Sequence, residues 1–148
     1  RGLAGVETEL ATRILIPVVA DSHSLMAMGT LRLMYAGFSP DYRAGLSLEY
    51  LHATDGSAAS LALSMEGGTA WHLGAFSVEP GAGFGLMESL EKGIFTHVRS
   101  EVRSVFSWLL SDTVSVGIET GFYLAFPMQA DEGRLVGVLA GIHGSLLW

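Results

Sequence analysis

The sequence predicts an all-β protein: an eight-stranded, antiparallel, up-and-down transmembrane β-barrel. Three observations carry that prediction. Apolar and polar residues alternate with a period of two along most of the chain, which is the strand period. Turn residues cut the 148 residues into eight such runs. Short turns and longer loops alternate between the runs, as in barrels that cross a membrane.

Composition points the same way. Charged residues make up 16% of the chain, against roughly 25% in soluble domains, and the mean hydropathy is +0.41. Such values usually mean membrane helices, yet no window offers the roughly 18 consecutive apolar residues that a spanning helix needs. Arg, Glu, Ser and Gly interrupt each apolar stretch, and 19 glycines suit long helices poorly. The absence of cysteine excludes disulfide scaffolds, cysteine zinc sites and iron–sulfur clusters. A net charge of −7, with Lys92 and seven arginines as the only cations besides histidine, argues against a nucleic-acid partner. One domain over 1–148 is expected, with 1–9 as a periplasmic N-terminal segment. The opening Arg1-Gly-Leu-Ala-Gly, without Met, fits a secreted chain after processing and equally an excised fragment.

The runs are read in order. The first lies near 10–19 and carries Arg13. In the second, near 25–38, Leu31, Leu33 and Tyr35 alternate with Thr30, Arg32 and Met34. In the third, near 42–53, Tyr42, Ala44, Leu46, Leu48 and Tyr50 alternate with Arg43, Gly45, Ser47 and Glu49. The fourth lies near 57–66 and ends on Glu66. The fifth, near 71–87, contains Pro80 and Gly81-Ala-Gly83-Phe-Gly85, which suggest a turn and a rival count of nine. Phe76, Val78, Ala82, Phe84 and Leu86 keep one phase across it, so it is read as one long strand. The sixth, near 95–110, carries Arg99, Glu101 and Arg103. In the seventh, near 113–126, Val114, Val116, Ile118, Phe122 and Leu124 alternate with Ser115, Gly117, Glu119, Gly121 and Tyr123. The eighth runs near 134–148. An even count closes antiparallel and returns both termini to one side. Ser39-Pro40-Asp41, Gly67-Gly68-Thr69 and Ser111-Asp112 read as tight periplasmic turns. Residues 20–24, 53–57, 88–94 and 127–133 read as longer acidic loops outside.

A period of two does not say which phase faces out. A soluble, lipocalin-like barrel would turn its apolar phase inward around a hydrophobic ligand. Charges, glycines and aromatics place the apolar phase against lipid instead. On the polar phase Arg13, Arg32, Arg43, Arg99 and Arg103 balance Glu49, Glu66, Glu79, Glu101 and Glu119, a balance that a narrow interior demands and a wet exterior does not. Gly45, Gly81, Gly83, Gly85, Gly117, Gly121, Gly137 and Gly141 share that phase, where they make room for arginines. Trp71, Trp108 and Trp148, with Phe38 and Tyr42, gather at the periplasmic ends, as aromatics do at a membrane interface.

Phe106-Ser-Trp108-Leu-Leu110-Ser-Asp112-Thr-Val114-Ser-Val116-Gly-Ile118-Glu forms a strand–tight turn–strand repeat. By this repeat the C-terminal half resembles the small outer-membrane barrels of the OmpA, OmpX and OmpW type. The chain also ends on Trp148 with Leu146, Ile142 and Ala140 on its face, similar to the signal that hands such chains to the barrel-assembly machinery. Gly144 departs from the bulkier residue common there. The resemblance implies the bacterial outer membrane, its lipid bilayer, and the assembly machinery acting through the C-terminal strand. It selects no activity and no external partner.

Candidate chemistry is sparse. The lumen of an eight-stranded barrel is filled by side chains, so a general porin is not expected. The arginine–glutamate set reads as an interior structural network; the runner-up is a narrow channel or carrier for a small solute. His143-Gly-Ser145 is similar to the His-x-Ser of outer-membrane lipid A deacylases of the PagL type, which implies ester hydrolysis by an activated serine. That family continues to an acidic partner after the motif, whereas this chain stops at Trp148, and the phase puts both residues inside near the periplasmic end. Interior packing is the preferred reading. The glycines from 81 to 85 are no phosphate loop, since no helix follows. His23, His52 and His97 lie near the outer rim without a metal-site pattern. Asp21, Asp55, Glu88, Glu91, Asp131 and Glu132 read as solvated loop acids able to hold divalent cations between lipopolysaccharide phosphates. Met26, Met28 and Met34, on one face, read as gap fillers. The expectation is a structural or surface-interaction barrel that needs no cofactor and catalyses nothing.

Overall fold

The computed structural model of the chain describes residues 5–19, 24–39 and 42–148. These contain nine strand segments: β1 (Val6–Val19), β2 (Met26–Ser39), β3 (Tyr42–Ala53), β4 (Ala59–Thr69), β5 (Trp71–Leu73), β6 (Phe76–Ser89), β7 (Ile94–Leu109), β8 (Val114–Pro127) and β9 (Leu135–Leu147). All pairings are antiparallel between neighbours in sequence, β1 pairs with β9, and β4 pairs with β6.

β5 is not a ninth stave. Its pairing Trp71↔Val78 continues the register of Gly68↔Gly81 on β4 without a slip. Between them Thr69 would face Pro80, which has no N–H to donate, and the ladder lapses there. The sheet is therefore a closed, up-and-down barrel of eight staves. Following paired residues round it leads from Val6 through Tyr35, Ala44, Gly67, Ala82, Val102, Phe122 and Val138 to Ile16 on β1. A stagger of this size tilts the strands roughly 40° from the axis and leaves an interior wide enough for side chains alone.

Two boundaries correct the reading from sequence. β1 begins at Val6, so Glu7 and Glu9 belong to the wall and not to a segment before it. Glu7 pairs with both Met34 and Leu147, because the strand that closes a barrel must satisfy its backbone on two sides. Gly67-Gly68-Thr69 is strand, and the turn comes at Gly74-Ala75, with Gly74 at φ +66°. The glycine at 68 serves close approach instead: a Cβ there would sit 2.7 Å from the Pro80 carbonyl oxygen. Of the turn read at Ser39-Pro40-Asp41, Pro40 and Asp41 lie outside the described residues, as do 20–23 of the first loop.

The two phases separate as the alternation requires. Ile118 is 61% exposed and the adjacent Glu119 is 3% exposed. Leu10, Ile14, Leu48, Leu63, Phe84, Phe122 and Ile142 form part of the apolar outer wall. On β1 that wall runs from Val6 to Val18, a rise of about 30 Å along the axis for tilted strands, which matches the hydrocarbon thickness of a bilayer.

Candidate functional site

The lumen is filled in three layers. The central layer joins Arg13, Arg32, Arg99 and Arg103 to Glu49, Glu66, Glu101 and Glu119. Arg13 donates to Glu49, to Glu101 at 2.8 Å and to the Thr30 hydroxyl at 2.8 Å. Arg32 grips Glu119 with two parallel bonds of 3.0 and 3.1 Å, the fork geometry that suits guanidinium and carboxylate. Arg99 pairs with Glu49 and lies 2.7 Å from Glu101; Arg103 pairs with Glu66, which also accepts from Ser47. Each cation bridges several staves, so the network ties the wall across its diameter.

Glycines shape this layer by leaving room for it. A Cβ on Gly83 would sit 2.5 Å from Arg99 and 2.6 Å from Glu66, and one on Gly141 would sit 2.7 Å from Arg13 Cγ. Burying ions so deeply is costly, and only dense pairing offsets the lost hydration.

Towards the turns lies a second layer, in which Arg43 is 2.7 Å from both Glu7 and Glu79 and 3.8 Å from Glu9. Ser77 donates to Glu79 at 2.7 Å and accepts from Ser107 at 2.7 Å, with the Ser107 hydroxyl also 3.2 Å from the same Glu79 oxygen. Ser145 donates to Glu7 and shares a 2.7 Å bond with Ser115. His143 sits between the two layers, its Nδ1 4.0 Å from Glu9 and from Glu119. Sequence reasoning missed Glu7 and Glu9, although Val6, Thr8 and Leu10 alternate with them and carry the phase back past Leu10.

Towards the loops the lumen turns apolar. Leu15, Met28, Leu51, Met87, Tyr123 and Leu139 pack with Ala62 and Ala125 into one cluster. Arg99 lies 5.2 Å above the Tyr123 ring, a cation–π contact that joins this plug to the central layer. The plug escaped sequence reasoning because both phases are apolar there, as in Ile14-Leu15-Ile16.

The aromatics expected at a membrane interface fall at the turn end. Tyr42, Trp71, Trp108 and Trp148 are exposed, Trp108 meets Phe76 edge-on at 5.6 Å, and Trp148 Nε1 donates to Thr8 at 2.9 Å. Phe38 is in β2, and its side chain lies outside the described residues. Of the histidines read near the rim, His52 stacks on Tyr50, His97 bonds Thr96 and the Gly133 carbonyl, and His23 lies outside the described residues. No grouping of the described residues has metal-ligand geometry.

The described loops are clamped in pairs. Ser24 donates to Asp55, whose other oxygen accepts from the Ser57 N–H at 2.9 Å. The Ser24 hydroxyl first, and Ser57 second, lower the Asp55 pKa to about 2. Lys92 pairs with Glu132 and lies 3.4 Å from Asp131, and the Glu132 bond is the main cause of its raised pKa.

A closed sheet with an apolar girdle and a charge-filled interior is built for lipid outside, since in hydrocarbon every backbone group must find its partner within the wall. The class of protein is thereby defined: an eight-stranded transmembrane β-barrel of the bacterial outer-membrane type. No protein-family model and no curated protein sequence matches the chain. Among solved structures it is similar to Neisserial surface protein A, at 9% identity and a TM-score of 0.67, covering 98% of this chain and 97% of that one. It is also similar to Ail, the attachment invasion locus protein of Yersinia pestis (11% identity, TM-score 0.51, 97% and 100% covered). A de novo designed transmembrane β-barrel matches at 14% identity and a TM-score of 0.50, covering 96% and 95%. At these identities the likeness is one of fold.

Proposed function

We propose that the protein serves the bacterial outer membrane as a closed barrel with a structural or surface-interaction role, its loops outside and its turns and termini in the periplasm. The observation that carries this reading is the filled lumen: an ion-pair network under an apolar plug, with Arg13, Glu49, Glu101, Leu15 and Leu139 all fully buried. Such an interior holds the wall together and offers a solute no path. The surface role draws support from the names of similar structures, a surface protein and an attachment invasion locus protein. Here the surface would be the clamped acidic loops. The assembly machinery would take the chain by β9 and its terminal Trp148.

The interior positions of His143 and Ser145 speak for packing and against esterase chemistry, because Ser145 is bonded to Glu7 and Ser115 inside the wall. Liposomes carrying the barrel test the closed reading. Potassium and glucose flux should equal that of empty vesicles, and passage of either would favour the channel reading.

A further inference from the structure

The lumen is charged unevenly along its axis. Its central layer balances four arginines with four glutamates, whereas the turn-end layer sets Arg43 against Glu7, Glu9 and Glu79, of which Glu9 also lies 3.5 Å from Arg32 of the central layer. Side-chain exposure falls in the same direction, from 12% at Glu79 and 7% at Arg43 to zero at Arg13 and Glu101. We propose that the apolar plug, and not the ion-pair network, is the permeability barrier of this barrel. The polar lumen beneath it is then a vestibule, open at the turn end, that admits water and small monovalent cations. This rests on the closed-barrel reading and says which part does the closing.

Three observations support the assignment. A cavity of about 20 Å³ lies among Glu9, Arg43, Glu79 and Arg103, room for roughly one water with polar partners on several sides. The Nε atoms of Arg13, Arg32 and Arg99 are buried without an acceptor among the described residues, and donors of that kind are ordinarily served by water. Each arginine also has alternative carboxylates: Arg13 lies within 3.1 Å of Glu49, Glu101 and Glu119. Such pairs can exchange partners as an ion passes. The plug has no such option. Every stave but β7 sends an apolar side chain into it, counting Ala62 on β4, and an apolar constriction stops ions by excluding their water. Gly137 is shaped to it, since a Cβ there would sit 2.5 Å from Leu15 Cδ1. The acid excess at the mouth sets the preference for cations.

Thallium(I) flux into proteoliposomes tests the proposal. Leu15→Ala/Leu51→Ala/Leu139→Ala should raise thallium entry at least tenfold over wild type, with chloride entry several-fold slower. Arg13→Gln/Glu101→Gln should stay near wild type. A leak in the network variant with none in the plug variant overturns the proposal, and equal chloride and thallium entry overturns the cation preference. The absence of cysteine permits a second test that keeps the plug's large side chains in place. Silver ion should modify Ser107→Cys at least tenfold faster than Ala62→Cys, and equal rates would overturn the vestibule. If the wild type itself conducts, the closed-barrel reading fails, while the order of the two variants still decides where the barrier lies.

Discussion

At the scale of single residues, this interior is a set of charges that tolerate company and not solitude. Arg13 is fully buried among Glu49, Glu101 and Glu119. Arg13→Met would leave those carboxylates one cation short, and removing one partner of a buried pair costs about 3–5 kcal/mol. Urea unfolding in lipid vesicles should show a loss of that order. Gly83→Ala should cost about 1–3 kcal/mol, because its Cβ would enter the Arg99–Glu66 pair. Gly29→Ala is the control. Nothing lies within 4 Å of a Cβ there, so the change should stay within about 0.5 kcal/mol. In the loops, the folded pKa of Asp55 is lowered to about 2, below the roughly 3.9 of the unfolded chain. A depressed carboxylate stabilises above its unfolded pKa and loses that contribution as pH falls through the folded one. The Ser24–Asp55 clamp should therefore hold at neutral pH and fade between about pH 4 and 2. A carboxyl-carbon NMR titration of Asp55 with a midpoint near the ordinary value would contradict this.

At the scale of strands, legibility depended on whether one phase was polar. β3 and β8 alternate Leu46, Leu48 and Ile118 with Ser47, Glu49 and Glu119, so their faces and centres are readable. Where β1 reaches the plug, Ile14, Leu15 and Ile16 offer no contrast, and no periodicity reveals which one faces inward. The β4–β5 break is a different failure. Glycines 67 and 68 look like a turn, but both lie in strand, where Gly68 permits close backbone approach, while the reversal falls on Gly74-Ala75. Pro80 makes the lapse in pairing, so Pro80→Ala should restore a ladder bond to Thr69. Amide exchange at residues 69–71 should slow by about tenfold; unchanged exchange would mean that the break has another cause.

At the scale of the whole molecule, one sequence pattern does two jobs. The apolar phase makes a girdle about 30 Å tall for lipid, and the polar phase makes the network that fills a lumen too narrow to be left empty. The five arginines and five glutamates read from the sequence share a phase, and the fold brings their side chains together with Glu7 and Glu9. Who pairs with whom was not legible, because partners such as Arg13 and Glu101 lie 88 residues apart and meet only once the barrel closes. The whole architecture turns on the direction of the two phases, on which neighbouring residues of β8 report. Spin labels placed singly at Ile118 and Glu119 can be read for oxygen accessibility in lipid bilayers. Position 118 should be oxygen-accessible and position 119 protected. Protection at 118 with exposure at 119 to water, in a chain that stays soluble without detergent, would contradict it.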